Sequence, residues 1–307
     1  MVYNTCMSVL VIGSVTCDVS LYVDHLPSVE DDVNVRKQKM SVGGCAYNVA
    51  NMLRLTGVNH QLVSCNGTGL YASFVRDEMR KKGMAPMFRS EEENGVCYTL
   101  VDGEGNRTFM AAHGAEYHFS REMLASVDLK DTDLIWFCGL DLEDREGENI
   151  VSFLEENRKI PMFFSPGPRI LSISEDVMKR IVSLHPSVHL NYREASAFLR
   201  DDSLNKEETV RQLHEKGFER VVMTDGGNPA VIYDQGQPAT IPACQAHVID
   251  GTGAGDSHIG TVLGCLEKGM NLKESVVMAN RIGAAVTECE GPVLTEEKYE
   301  EIRKELS

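Results

Sequence analysis

Positive charge is what this chain has least of for its size. Thirty Lys and Arg stand against 46 Asp and Glu, a net charge of −16 over 307 residues. Such a surface repels phosphate backbones and anionic lipid headgroups, so neither nucleic acid nor a membrane is expected as a partner. The nine cysteines (Cys6, Cys17, Cys45, Cys65, Cys97, Cys138, Cys244, Cys265, Cys289) are odd in number and include no Cys-x-x-Cys pair. Several lie inside apolar runs, the pattern of reduced thiols in a cytoplasmic protein rather than of a disulfide framework. No apolar stretch is long enough for a membrane span, and Met1–Cys17 lacks the basic start of a signal peptide. His185 and His189 have metal-like spacing, but Pro186 disfavours a helix presenting both, and no metal is assigned to them. Repeats and low-complexity segments are missing too.

Two common nucleotide loops are also missing. No Gly-Lys pair occurs, which excludes a Walker loop, and the run Gly13-Ser14-Val15-Thr16-Cys17-Asp18 lacks the dinucleotide fingerprint a dehydrogenase needs. What is present is Asp250-Gly251-Thr252-Gly253-Ala254-Gly255-Asp256, after the apolar Val248 and Ile249 and ahead of the apolar-periodic segment Ser257–Gly269. Three glycines and an alanine make a tight turn that exposes backbone N–H groups at a helix N-terminus. Aimed amides and the positive end of the helix dipole bind anions there. Asp256 beside that anion site is placed to take a proton from an attacking hydroxyl. An anion hole next to a base is the minimum equipment for moving a phosphoryl group onto an alcohol.

A second glycine turn, Val42-Gly43-Gly44-Cys45-Ala46-Tyr47-Asn48, enters a helix near the other end of the chain. Together the two turns resemble the paired signatures of the ribokinase-like (PfkB-type) carbohydrate kinases, roughly Asp-Thr-x-Gly-Ala-Gly-Asp and Gly-Gly-x-x-x-Asn. Asn191-Tyr192-Arg193-Glu194 fits the family's Asn-x-x-Glu, and Thr224-Asp225-Gly226 precedes a hairpin as the family's nucleotide loop does. The resemblance runs from Gly13 to about Gly291.

Short apolar runs alternating with helical patterns point to an α/β fold, a doubly wound, mainly parallel sheet flanked by helices. The strands expected are Val9–Ile12, Gln61–Cys65, Leu134–Cys138, Pro161–Phe164, Val188–Leu190 and Arg220–Met223. Asp18–Ser41 and Cys97–Ala111, the latter around Asp102-Gly103-Glu104-Gly105-Asn106, read as strands outside that sheet. The resemblance makes residues 1–307 a single domain whose small β-sheet lid, from about 18–41 and 96–112, covers the acceptor and serves as a homodimer surface.

The resemblance also assigns roles. Asp256 is the general base, and the amides of Gly253, Ala254 and Gly255 form the anion hole. Asp18, Gly43, Gly44 and Asn48 bind the acceptor, and Asn48 lies off the apolar face of its helix with its amide free for sugar hydroxyls. Asn191 and Glu194 organise Mg²⁺, Glu194 through water, although the pair also reads as a helix capping box. Thr224 and Gly226 meet the nucleotide phosphates and ribose, and Asn280 lines the adenine slot. Asp250 and Thr252 would hold a monovalent cation such as K⁺, as in some relatives. ATP and Mg²⁺ are thus the implied cofactors.

Departures from the family pattern are Gly251 for the usual Thr, His258 for a bulky apolar residue, and Pro229 for a third Gly in the nucleotide loop. None removes the base or the anion hole. His258 reads either as tuning Asp256 or, better, as a satisfied core histidine. Cys45 stands where ribokinases and phosphosugar relatives commonly carry Lys. Arg36, Lys37, Lys39 and Arg107 are the lid cations a phosphosugar would need, but Asp31 and Asp32 stand beside the first three. Phe109, Tyr117 and Phe119 stack on a base or pack as core. The acceptor expected is a sugar or sugar-like alcohol. A nucleoside, a phosphosugar, or a sensor role without catalysis remain the alternatives.

Overall fold

Every residue of Ser8–Ile12 is buried, which a strand achieves only when both faces of its sheet are covered. The computed structural model describes residues 8–104, 106–143 and 146–305. Its strands, in chain order, are β1 (Ser8–Ile12), β2 (Thr16–Tyr22), β3 (Lys37–Gly43), β4 (Asn59–Val63), β5 (Cys65–Thr68), β6 (Phe88–Glu93), β7 (Val96–Val101), β8 (Arg107–Ala112), β9 (Thr132–Cys138), β10 (Met162–Ser165), β11 (Ser187–Asn191), β12 (Val221–Asp225), β13 (Asn228–Asp234) and β14 (Gln237–Ile241). The main sheet has the order β14-β13-β12-β11-β10-β9-β1-β4. It is parallel from β12 to β4, with β13 and β14 closing one edge as an antiparallel hairpin.

Side-chain alternation divides the core in two. Val9, Val11, Leu134, Trp136, Phe163 and Val222 face the helices Cys45–Thr56, Ala254–Glu267 and Leu272–Thr287. Leu10, Ile12, Ile135, Phe137, Phe164, Val188 and Leu190 face the helices Gly147–Glu156, Glu175–Val182 and Lys206–Glu215. Burying each such side chain contributes roughly 1.5–3 kcal/mol. His189 breaks the pattern, because it turns from β11 toward the first group of helices, where its neighbours on the sheet are apolar.

The expected strands are present with one difference. The run Gln61–Cys65 does not continue as one strand: β4 ends at Val63 on the sheet edge, and β5 pairs instead with β6 in a separate two-stranded sheet. No Gly or Pro marks the break at Ser64, so the local sequence carried no signal for it. The two segments expected outside the main sheet form one four-stranded sheet, β3-β2-β7-β8. Its central pair β2–β7 is parallel, joining stretches about eighty residues apart that sequence reasoning had not paired. The hairpin tip is built as expected around Asp102, whose side chain accepts from the Glu104 and Asn106 amides at 2.9 and 2.8 Å.

Close helix packing sets the distance between the two glycine turns. The helices Cys45–Thr56 and Ala254–Glu267 cross where Gly260 lies against Met52 and Gly264 against Thr56; a Cβ on Gly260 would sit 2.7 Å from the Met52 Cβ. Gly260→Leu is therefore expected to push the helices apart and cost about 1–3 kcal/mol. Urea denaturation checks this, and an unchanged midpoint would show that the contact yields freely.

Candidate active site

The C-terminal ends of the parallel strands deliver the site residues, as the topology of open α/β sheets favours. Gly13 and Ser14 follow β1, Asp141 follows β9, Asn191 ends β11 and Thr224 lies near the end of β12. The glycine turn closes over them from the loop after β14. Its base is pinned by the Ile249 and Asp250 amides, which donate to the Thr287 carbonyl at 2.7 and 2.9 Å. The Asp250 carboxylate in turn accepts from the Thr252 and Gly291 amides at 2.8 and 3.2 Å. Gly253 has φ 72° and a missing Cβ that would lie 2.2 Å from the Pro292 carbonyl oxygen, so only glycine fits. The helix then begins at Ala254 rather than at Ser257, which puts Asp256 inside its first turn. Ala254 N–H makes only a long 3.5 Å contact with the Gly251 carbonyl. A Cβ on Gly255 would meet nothing within 4 Å, so the turn opens on free space.

Asp256 and Asn48 meet across the helix pair: the Asn48 side-chain amide donates to Asp256 Oδ2 at 2.8 Å. This corrects the expectation of a free amide. Asn48 is buried, its NH₂ is committed to Asp256, and its Oδ1 is the unpartnered buried atom. Burial pushes the Asp256 carboxyl up, against hydrogen bonds from Asn48 and the Cys45 thiol that hold it down.

Asp18 stands opposite Ser41 of β3 and Cys97 of β7 in the four-stranded sheet. Thr16 Oγ1 donates to its Oδ1 at 2.9 Å. Burial lifts the Asp18 carboxyl to about 6, with the charge of Asp256 adding to the rise. Gly43 permits this: a Cβ there would lie 2.0 Å from Asp18 Oδ2, and one on Gly44 2.5 Å from the Ser14 carbonyl.

Asp141 was not found from sequence, whereas Tyr117 was read as stacking on a base or packing as core. Asp141 is buried, accepts the Ser14 amide at 2.9 Å and is lifted by burial to about 7. Tyr117 hydrogen-bonds Ser14 and stacks on His113 at 3.8 Å between ring centres. The signal for Asp141 was its place just past the apolar strand Leu134–Cys138, where such sheets hold ligands. Phe119 is core, and Phe109 is exposed.

At the end of β11, Asn191 and Glu194 form a full capping box. The Glu194 amide donates to Asn191 Oδ1 at 2.8 Å and the Asn191 amide to Glu194 Oε2 at 3.0 Å. The Glu194 carboxyl is raised by burial, and the charge of Asp256 pushes it the same way. Thr224 pairs with Asn191 across the β11–β12 register, and Gly226, at φ 55°, turns the hairpin into open space. Lys206 brings a cation to that turn, 2.6 Å from Asp225 and donating to the Pro229 carbonyl at 3.2 Å.

Asn280 does not offer a free amide to an adenine. Its Oδ1 lies 3.0 Å from His258 Nε2, and its NH₂ donates to the Pro242 carbonyl at 2.8 Å. His258 is buried and meets His189 at 3.0 Å through Nδ1, so its ring is a satisfied core group; burial drops its pKa to about 4. Asp250 and Thr252, expected around a monovalent cation, hold the guanidinium of Arg107 from β8. Lys37 and Lys39 lie 3.7 and 3.8 Å from Glu290, and Arg36 pairs with Asp24. Every basic residue considered for an acceptor phosphate thus has a carboxylate partner already.

Comparison with known proteins places the chain in a family. The profile described as pfkB family carbohydrate kinase matches residues 7–298. The chain is 33% identical over 286 residues to the uncharacterized sugar kinase YegV of Escherichia coli, spanning 92% of this chain and 89% of that protein. Among solved structures, the nucleoside kinase of Methanocaldococcus jannaschii superposes with a TM-score of 0.76 at 20% identity, covering 97% of this chain and 98% of that one. A fructokinase with bound ATP from Xylella fastidiosa gives 0.79 at 18% identity, with 97% and 98% covered. With a family match over nearly its whole length, the chain belongs to the pfkB carbohydrate kinases, phosphotransferases that take an alcohol group as acceptor.

Proposed function

We propose that the protein transfers the γ-phosphoryl group of ATP to a hydroxyl of an uncharged sugar or sugar-like alcohol. The observation that carries this is the Asp256 carboxylate, held by Asn48 at 2.8 Å between the helix N-terminus and the acceptor-side Asp18. Asp18 and the free Asn48 Oδ1 accept from acceptor hydroxyls and aim one of them at Asp256. The proton of that hydroxyl passes to Asp256, its oxygen attacks the γ-phosphorus, and the bond to the ADP oxygen breaks. The Gly253–Gly255 amides and the helix dipole receive the charge of the moving group. Mg²⁺, when bound, would supply further neutralisation of the phosphates. Glu194 and Asn191 fit it, since the Glu194 carboxyl feels burial and the Asp256 charge with no basic side chain offsetting them.

The charge pattern favours a neutral acceptor. Asp18, Asp141 and Asp256 converge on the pocket, Arg107 is committed to Asp250, and Glu290 lies beside Lys37 and Lys39. A nucleoside is the second reading, because the stacked His113–Tyr117 pair provides a flat surface at the Ser14 edge of the pocket. The test is ADP release with Mg·ATP across neutral sugars, sugar acids, nucleosides and phosphosugars. Turnover with a neutral acceptor is expected; turnover confined to phosphosugars or acids would overturn the neutral-acceptor reading. Homodimerisation through the lid is part of the same proposal, supported by the exposed Phe109 and Met110 on edge strand β8. Light scattering decides it.

A further inference from the structure

A carboxylate at the mouth of an anion-binding turn is electrostatically out of place. Asp250 sits three residues before Gly253 with its side chain largely covered, and a bare charge there would repel the phosphate the turn is built to hold. The charge is met by Arg107, which begins β8 at the tip of the lid. One guanidinium nitrogen donates both to Asp250 Oδ1 and to Thr252 Oγ1. Cross-strand register places Arg107 opposite Val101 and Val101 opposite Tyr22, so Arg107 shares the inner face of the lid with Asp18, four residues from Tyr22 along β2. The side chains of Arg107 and Asp250 are only 24% and 16% exposed. By contrast, the Lys37 and Lys39 contacts to Glu290 are long and exposed, the kind of ion pair that contributes little.

We infer that Arg107 is a positioning residue for phosphoryl transfer: it neutralises Asp250 and fastens the lid to the glycine turn, so that a closed lid and a phosphate-ready turn form one state. The same strand system carries Asp18, so an acceptor that orders the lid also readies the anion hole. The inference deepens the kinase reading and rests on it where it speaks of phosphate. Its mechanical half, the tether, does not.

The experiment measures binding of Mg²⁺ with the β,γ-imido analogue of ATP by calorimetry, for the wild type, Arg107→Ala and Arg107→Ala/Asp250→Asn. Arg107→Ala should weaken binding at least about tenfold, because Asp250 is left uncompensated. The double variant should regain most of the loss, since the offending charge is gone. A purely structural role for Arg107 would not be rescued by removing its partner. Hydrogen exchange of the β8 amides in the unliganded protein reads the tether, and should quicken in both Arg107→Ala and Asp250→Asn. Unchanged affinity in Arg107→Ala, or a double variant as weak as the single, overturns the charge role. Failure of the wild type to bind the analogue counts against the kinase reading instead, and unchanged β8 exchange in Arg107→Ala then overturns the tether.

Discussion

Asp256→Asn is expected to lower kcat about 100- to 10,000-fold while leaving nucleotide binding intact or tighter. The substitution keeps the size of the side chain, and its oxygen still accepts from the Asn48 amide, which lies 2.8 Å from Asp256 Oδ2. What it removes is a lone pair basic enough to take a proton. Burial has already pushed the Asp256 carboxyl above its ordinary 3.8, which makes it a stronger base than a solvated aspartate. The same burial means that the charged form is costly, so the amide variant should fold at least as stably. One negative charge fewer beside the γ-phosphate also favours the donor. Single-turnover rates alongside calorimetric binding separate these effects. A kcat within about threefold of wild type would remove Asp256 as the base, and weakened nucleotide binding would point to a structural contact instead.

What could be read from the sequence is local, and what could not depends on the chain meeting itself. The glycine turn, the Asn191–Glu194 box and the Gly43–Gly44 turn are each written within seven residues, where backbone demands show directly in residue type. The apolar runs gave the central strands because a sheet covered on both faces leaves little room for polar residues. Arg107 read as a cation for an acceptor phosphate or as an exposed strand residue, since its partner Asp250 is 143 residues away. Asp141 lay in an unremarked turn, and only the strand before it gave it a place. Asn280 was given its place by the family resemblance alone, and its local sequence did not show what its side chain meets. In fact His258, itself a departure from the family pattern, claims its carbonyl oxygen at 3.0 Å. The break of Gln61–Cys65 into two strands left no local mark, because it shows only in β5 pairing with the distant β6 in a separate sheet.

The acidic composition also takes on a specific meaning. A chain of net charge −16 that handles a polyanion cannot draw it in by global field. The positive potential must be local, and the first turn of Ala254–Glu267 is the group placed to supply it, because Lys206 and Arg107 are each paired with a carboxylate, Asp225 and Asp250. Glu194 and Asp256 then leave a net negative recess between them, which a hydrated divalent ion suits.

Asp18→Asn should separate stability from activity most cleanly. The Asp18 carboxyl rises from 3.8 to about 6 on folding, chiefly through burial and with the Asp256 charge adding to it. A raised carboxylate is a cost: between those values the folded chain binds the proton that the unfolded chain has lost, so stability falls as pH rises through that window. Above about pH 7 the full penalty is present, on the order of 3 kcal/mol, and below about pH 4 it is gone. Asn removes the charge and keeps an oxygen for the Thr16 hydroxyl, so the variant should melt several degrees higher at pH 7.5. The advantage should shrink to nothing as the pH approaches 4. Acceptor KM should move the other way and rise at least about tenfold, because the amide gives up one of the two strong acceptors that we propose receive acceptor hydroxyls. In the wild type the same logic makes kcat/KM for the acceptor fall as pH drops through about 6, where Asp18 takes up its proton. A variant less stable than wild type at pH 7.5, or a stability gap that ignores pH, would show that the Asp18 charge is compensated in the fold and that its burial is not the cost argued here.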